Sequence, residues 1–323
     1  MNTRDAVLAW LHAGAIDGND AERALRAAGA LPDRASWRRF IDRLLLWLGV
    51  VLLAAALIFF FAYNWTALGR YLRFGIAEAA LLVAVGAAWK LGLERTSGKA
   101  ALFAAALCVG ALLALVGQTY QTGADPWQLF FSWTLAILPW CAIGRMPALW
   151  MLWVALLNIS LVAYHDATRS LFAWMFDTRE LLWLLLALNT LALTLWDAAA
   201  TRIAWLHVRW PVRLLVTAIA GIVTALGLWA VLEWRNGSLA AIGAWVALSA
   251  AAVWRYRFRT RDLYILSVGA LAAIVILTGA LGNLLYGRGN ADAGGLLFMA
   301  LAVIGMTAAA AVWLRGVMQE STE

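Results

Sequence analysis

Residues 117–133 read GQTYQTGADPWQLFFSW, and how this stretch is read decides the fold. It is a tight run of polar side chains between two long apolar segments, AALFAAALCVGALLALV (100–116) and LFFSWTLAILPW (129–140). In a soluble protein such segments would have to be buried on every side. The whole chain of 323 residues is 64% hydrophobic and 13% charged, against roughly half apolar and a quarter charged in ordinary soluble domains. An interior cannot absorb that excess, so the apolar surface must meet lipid. The polar run then becomes a chain break at the edge of a bilayer, where irregular backbone is tolerated if it faces water or protein.

Working outward, ten apolar segments lie near the roughly 20 residues needed to cross a bilayer. They are 44–62, 72–91, 100–118, 127–144, 147–163, 180–196, 211–231, 238–254, 263–284 and 294–314. Only Gly144, Arg145 and Met146 separate the fourth from the fifth, and Pro147 suits a first helical position after a tight turn. Residues 1–40 are polar and carry no apolar core of a signal peptide. Asn19 and Glu22 form a capping-box pattern that opens a helix over 20–28, and Pro32 ends it. The expected architecture is an all-α polytopic membrane protein. It has a cytoplasmic helical hairpin (1–40), a transmembrane domain (44–314) and a short cytoplasmic tail (315–323).

Orientation follows from the basic residues, which concentrate in cytoplasmic loops. With the N-terminus inside, the outer loops hold Arg70, Arg73, Arg169, Arg179, Arg235 and Arg288, which leaves 19 of the 25 Lys and Arg for the inner side. Both termini are therefore expected in the cytoplasm. The net charge of +7 is spread along loops, which points to a membrane rather than to nucleic acid as the partner. The densest run, RYRFRTRD at 255–262, is an inner-face clamp, and Arg255, Arg257, Arg259 and Arg261 are candidate contacts for anionic lipid headgroups. Trp47, Trp65, Trp89, Trp127, Trp234 and Trp254 fall at predicted helix ends, as an interfacial belt requires. LFAWMF (171–176) and IAWLHVRW (203–210) are too short to span and read as interfacial pieces.

Polar groups inside the apolar segments are the candidates for function. Glu78 sits within RFGIAEAALLVAVG, and its helical neighbours Phe74, Gly75, Leu81 and Leu82 cannot pair with it. Its partner must come from another helix, from water, from a nearby arginine such as Arg70 or Arg73, or from protonation. Gln118, Thr119, Tyr120 and Gln121, four hydrogen-bonding side chains in a row, exceed what closing a loop needs, although interfacial anchoring explains Tyr120. Asp125 before Pro126 reads as the N-cap of the fourth span. Asn158, Ser160, Asn189 and Thr190 fall near the membrane middle, where amides and hydroxyls commonly bond between helices. Cys108 and Cys141 lie at different depths and read as packing residues, not a disulfide. No metal-ligand spacing, nucleophile elbow or phosphate loop is present, so no cofactor is expected, and an enzyme is the less favoured class.

Two internal similarities suggest duplication. GQTYQTGAD (117–125) resembles GNLLYGRGNAD (282–292), and Trp65 echoes Trp234. Segments 1–4 and 7–10 would be parallel repeats around a two-helix connector; a five-plus-five inverted plan is the alternative.

WLGVVLLAAALIFFFAYNW (47–65) and GQTYQTGADPWQLFFSWTLAILPW (117–140) resemble the bacterial predicted membrane proteins called domain of unknown function 2157, over roughly residues 1–145. The resemblance implies a polytopic bacterial inner-membrane protein and carries over no catalytic residue. The favoured function is transport or carriage of a small polar or amphiphilic molecule, with a periplasm-facing site built from Glu78, Gln118, Tyr120, Gln121 and Asp125. The rivals are an envelope scaffold or sensor that contacts a cytoplasmic protein through residues 1–40, and an enzyme acting on a lipid-linked substrate.

Overall fold

A computed structural model describes residues 3–17, 20–29, 31, 33–63, 68–121, 123–169, 178–233, 238–286 and 293–320. Every regular element among them is helical, as the bilayer demands, since only a helix or a closed barrel pairs all of its backbone polar groups within lipid. Two short helices, α1 (Thr3–His12) and α2 (Ala21–Ala27), precede ten long ones. These are α3 (Arg34–Tyr63), α4 (Arg70–Leu91), α5 (Thr96–Tyr120), α6 (Pro126–Gly144), α7 (Pro147–Arg169) and α8 (Thr178–Ala200). There follow α9 (Arg209–Leu232), α10 (Ser238–Val253), α11 (Leu263–Tyr286) and α12 (Ala293–Gln319). All ten are long and apolar enough to cross a membrane.

The expected spans and the helices agree closely, with one large difference at the first. α3 begins at Arg34, ten residues before the apolar run. Asp33 explains the early start, because its carboxylate accepts a 2.7 Å hydrogen bond from the Ser36 amide. That satisfies one of the orphan donors of a helix N-terminus. The expected boundary between residues 40 and 44 is therefore helix interior. Trp47 accordingly lies well inside α3, edge-on to Phe103 at 5.6 Å, instead of at a helix end. Asn19 of the expected capping box, the 171–176 piece, Trp65, Trp234 and residues 287–292 of the suspected repeat lie outside the described residues. The 203–210 piece folds as a 3-10 turn at Ala204–Leu206 with Leu206 buried, and Arg209 already opens α9.

The chain divides into two units, one of residues 1–124 and 132–144, the other of 125–131 and 145–321. In the first unit α4 and α5 form a tight hairpin. Gly92 turns the chain with φ +78°, and a Cβ on Gly98 would overlap the Gly92 carbonyl oxygen. Gly110 of α5 gives up its side-chain space to the Trp133 ring of α6, whose indole N–H donates to the Ala106 carbonyl at 2.7 Å. Lipid tails are as apolar as the side chains, so helices associate by close packing at small residues and by hydrogen bonds.

In the second unit α9 is the central helix, contacted by α8, α10 and α11. Leu186, Ile219, Val223, Leu226, Ala230 and Ala241 form its core. Gly227 and Gly279 admit Ile276 and Leu228 respectively, which interlocks α9 with α11. Asn189 Nδ2 of α8 donates to Asn158 Oδ1 of α7 at 2.6 Å, and the Ser160 hydroxyl of α7 donates to the Trp127 carbonyl of α6 at 3.2 Å. Three of the four mid-span polar residues therefore bond between helices, while the Thr190 hydroxyl is buried without a hydrogen-bond partner among the described residues. Neither cysteine forms a disulfide among the described residues, and both are buried.

Candidate functional site

The expected polar set begins on α4 and α5. Gln121 closes α5 in a left-handed conformation (φ 44°, ψ 49°), so the chain break expected there is real. Tyr120 is exposed, with the Phe74 ring at 5.9 Å and the Arg70 guanidinium 6.0 Å from its own ring. Glu78 faces outward from α4, exposed, as are Gln118 and Gln121. Neither arginine serves Glu78: Arg70 donates to the Tyr71 hydroxyl and Arg73 to the Leu68 carbonyl. Among the described residues no hydrogen bond joins Glu78, Gln118 and Gln121. Asp125 occupies the N-cap position of α6 with Pro126 at N1, yet its side chain makes no capping bond.

The basic run at 255–261 has a definite structure. Trp254–Arg259 continues α10 as a π-helical turn, the Thr260 amide bonding to the Arg255 carbonyl at 3.0 Å. Such wide turns are uncommon and frequently occur at functional positions. The four arginines divide by role. Arg257 pairs with the Glu320 carboxylate at 3.4 Å and Arg261 donates to the Glu320 carbonyl at 2.8 Å, so both hold the end of α12. Arg259 lies over the Trp254 ring at 4.8 Å. Arg255 turns inward, pairing with Asp197 of α8 at 2.9 Å.

Arg255 and Tyr256 line a pocket of about 220 Å³ in which Asp197, His207, Arg209, Thr260 and Asp262 stand among apolar side chains such as Leu206 and Val212. Asp262 is buried and pairs with Arg213 at 3.0 Å. The Tyr256 hydroxyl and the Arg255 Nε are buried without an acceptor among the described residues. Ile265 lines this pocket and also a larger cavity of about 470 Å³ among α9, α10, α11 and α12. That cavity is walled by residues such as Ala220, Val223, Leu248, Gly269, Ala273, Met306 and Ala309, with Ser249 and the indole of Trp245 as its sparse polar groups. Its size lies within the roughly 300–1,000 Å³ of small-molecule sites. Gly269 opens onto free space, since an added Cβ there meets nothing within 4 Å.

Sequence reasoning picked out Arg255 but missed the cavity. Its walls are mostly alanine, valine, leucine and isoleucine, the same residues that face lipid elsewhere. The one available signal was Asp262 beside the arginine run, a carboxylate placed to order the basic groups.

Residues 8–150 match the family described as Predicted membrane protein (DUF2157). The resemblance seen in the two quoted stretches holds, and the match covers most of the first unit, residues 125–131 of the second and the start of α7. No curated protein and no solved structure matches the chain. The protein is a membrane protein with ten candidate spans whose exposed apolar faces contact the bilayer.

Proposed function

We propose that the protein is a carrier of an amphiphilic molecule in the bacterial inner membrane, with both termini in the cytoplasm. The observation that supports this reading best is the 470 Å³ cavity among α9–α12. It is large enough for a substantial apolar group and is lined almost wholly by side chains that do no chemistry, which favours binding over catalysis. The exposed polar groups Glu78, Gln118, Tyr120, Gln121 and Asp125 are assigned in this reading to the periplasmic side, where a carried molecule is released or received.

The test is retention of a bound molecule. Protein extracted with its native lipid is expected to carry an apolar-chain molecule detectable by mass spectrometry. Gly269→Leu points a side chain into the open space and replaces a poor helix former with a good one. It is expected to melt no lower than the parent and to lose the bound molecule. A parent that retains nothing, or a variant that retains as much, overturns the reading.

A further inference from the structure

An apolar chain in the α9–α12 cavity brings its polar head to whichever wall offers polar partners. Ile265 marks that wall, because it borders both the cavity and the smaller pocket that holds the charged groups. On the carrier reading, we propose that this pocket receives an anionic oxygen group, a phosphate or carboxylate, at the head of a membrane lipid whose chain fills the cavity.

The charges around the pocket decide the sign. Two arginines, Arg209 and Arg255, and two carboxylates, Asp197 and Asp262, line the pocket. Both carboxylates are already paired, Asp197 with Arg255 and Asp262 with Arg213. A cationic head would find no free partner. An anionic one finds Arg209, which lines the pocket and has no ion-pair partner among the described residues.

The buried donors point the same way. Tyr256 is 6% exposed, and with the Arg255 guanidinium donating towards its hydroxyl oxygen, the hydroxyl hydrogen itself has no acceptor among the described residues. Arg255 spends one terminal nitrogen on Asp197 and leaves its Nε unsatisfied. Donors without acceptors at a pocket wall call for oxygen lone pairs, and guanidinium groups favour phosphate and carboxylate through their planar fork. His207 is exposed and donates from Nδ1 to the Ala204 carbonyl at 2.9 Å, which leaves Nε2 of the neutral ring an acceptor and adds no donor to the pocket. The π-helical turn puts Arg255 and Tyr256 on this wall, while Arg257 and Arg261 reach α12.

The full-length protein in phosphatidylcholine nanodiscs is titrated with three probes, read by native mass spectrometry: oleoyl lysophosphatidic acid, oleoyl lysophosphatidylcholine and inorganic phosphate. The parent is expected to bind the phosphate-headed lipid about tenfold more tightly than its choline-headed counterpart, and inorganic phosphate far more weakly than either. Arg209→Gln combined with Tyr256→Phe is expected to erase the preference while chain binding survives. Arg255→Lys, which keeps the charge opposite Asp197 but lacks Nε, is expected to reduce it. Equal binding of the two lipids by the parent, or a preference that persists in the double variant, overturns the head assignment. Inorganic phosphate bound as tightly as the lipid overturns the lipid and leaves a free-anion site. The carrier reading fails separately, if Gly269→Leu binds both lipids as the parent does.

Discussion

Glu78 is a carboxylate on the outer surface of a membrane-crossing helix. It is the ninth residue of α4, about 12 Å along the axis at 1.5 Å per residue, with exposed Gly75, Ala79 and Leu82 around it. An acidic side chain at a bilayer centre costs roughly 2.5–3.5 kcal/mol on insertion scales, and less nearer the interface. No described residue offsets that cost, so Glu78→Gln removes no internal contact. The variant is expected to melt at or above the parent temperature, and in proteoliposomes any pH dependence of uptake should disappear. A lower melting temperature would mean a structural partner and would count against its role in the carrier. Asn158 and Asn189 behave in the opposite way. Each also gives an amide hydrogen to its own helix, to the Val154 and Leu185 carbonyls, and they bond reciprocally to each other. A double-alanine cycle at these positions should give a coupling of about 1 kcal/mol. The pair was legible because two amides inside apolar runs have little else to do. The outward face of Glu78 was not, because one helix's sequence does not say which of its sides meets a neighbour.

At the scale of elements, the tightest joint is the α4–α5 hairpin. The Cβ of a Gly98→Ala variant would meet backbone, and backbone cannot swing aside as a side chain can. The expected cost is about 3 kcal/mol, the upper end of overpacking penalties, measured as reduced resistance to denaturant in detergent. Gly110→Ala should cost less, because there the obstacle is the Trp133 ring. The extension of α3 rests on Asp33. Hydrogen bonds from the Ser36 hydroxyl and amide hold its carboxyl below the ordinary value of 3.8. Its stabilisation is therefore present above the unfolded carboxyl's pKa and is lost as pH falls through the lower folded value. Asp33→Ala should speed hydrogen exchange of the first amides of α3 at neutral pH, and Asp33→Asn much less. Ten helices were legible because each needs its own apolar length. The first turns of α3 were not, since RASWRRFIDR (34–43) is polar and is fixed by a cap rather than by lipid. The π-helical turn was also invisible, because it depends on where one carbonyl finds its donor.

Across the whole molecule, apolar length sets how many times the chain crosses, while the loop charges set which way it points. The cavity in the second unit was beyond sequence reasoning, because an alanine facing an empty space and one facing lipid are written alike. Orientation is the property on which the carrier reading depends for direction: that reading, with the basic excess inside, assigns the Arg255 pocket to the cytoplasmic side and the end of α5 to the periplasmic side. Positive charge resists translocation, and 19 basic residues against six is a strong bias. The native cysteines are both buried, so introduced thiols should report with little background. Glu94 precedes α5 and Ala124 follows it, and both are exposed. In intact spheroplasts an impermeant maleimide should label Ala124→Cys at once, and Glu94→Cys only after the membrane is opened. The reverse pattern would place the Arg255 pocket on the periplasmic side, so that an anionic lipid would enter from the outer leaflet. Labelling of both sites in intact cells would mean mixed insertion, and a single direction of carriage could not then be assigned.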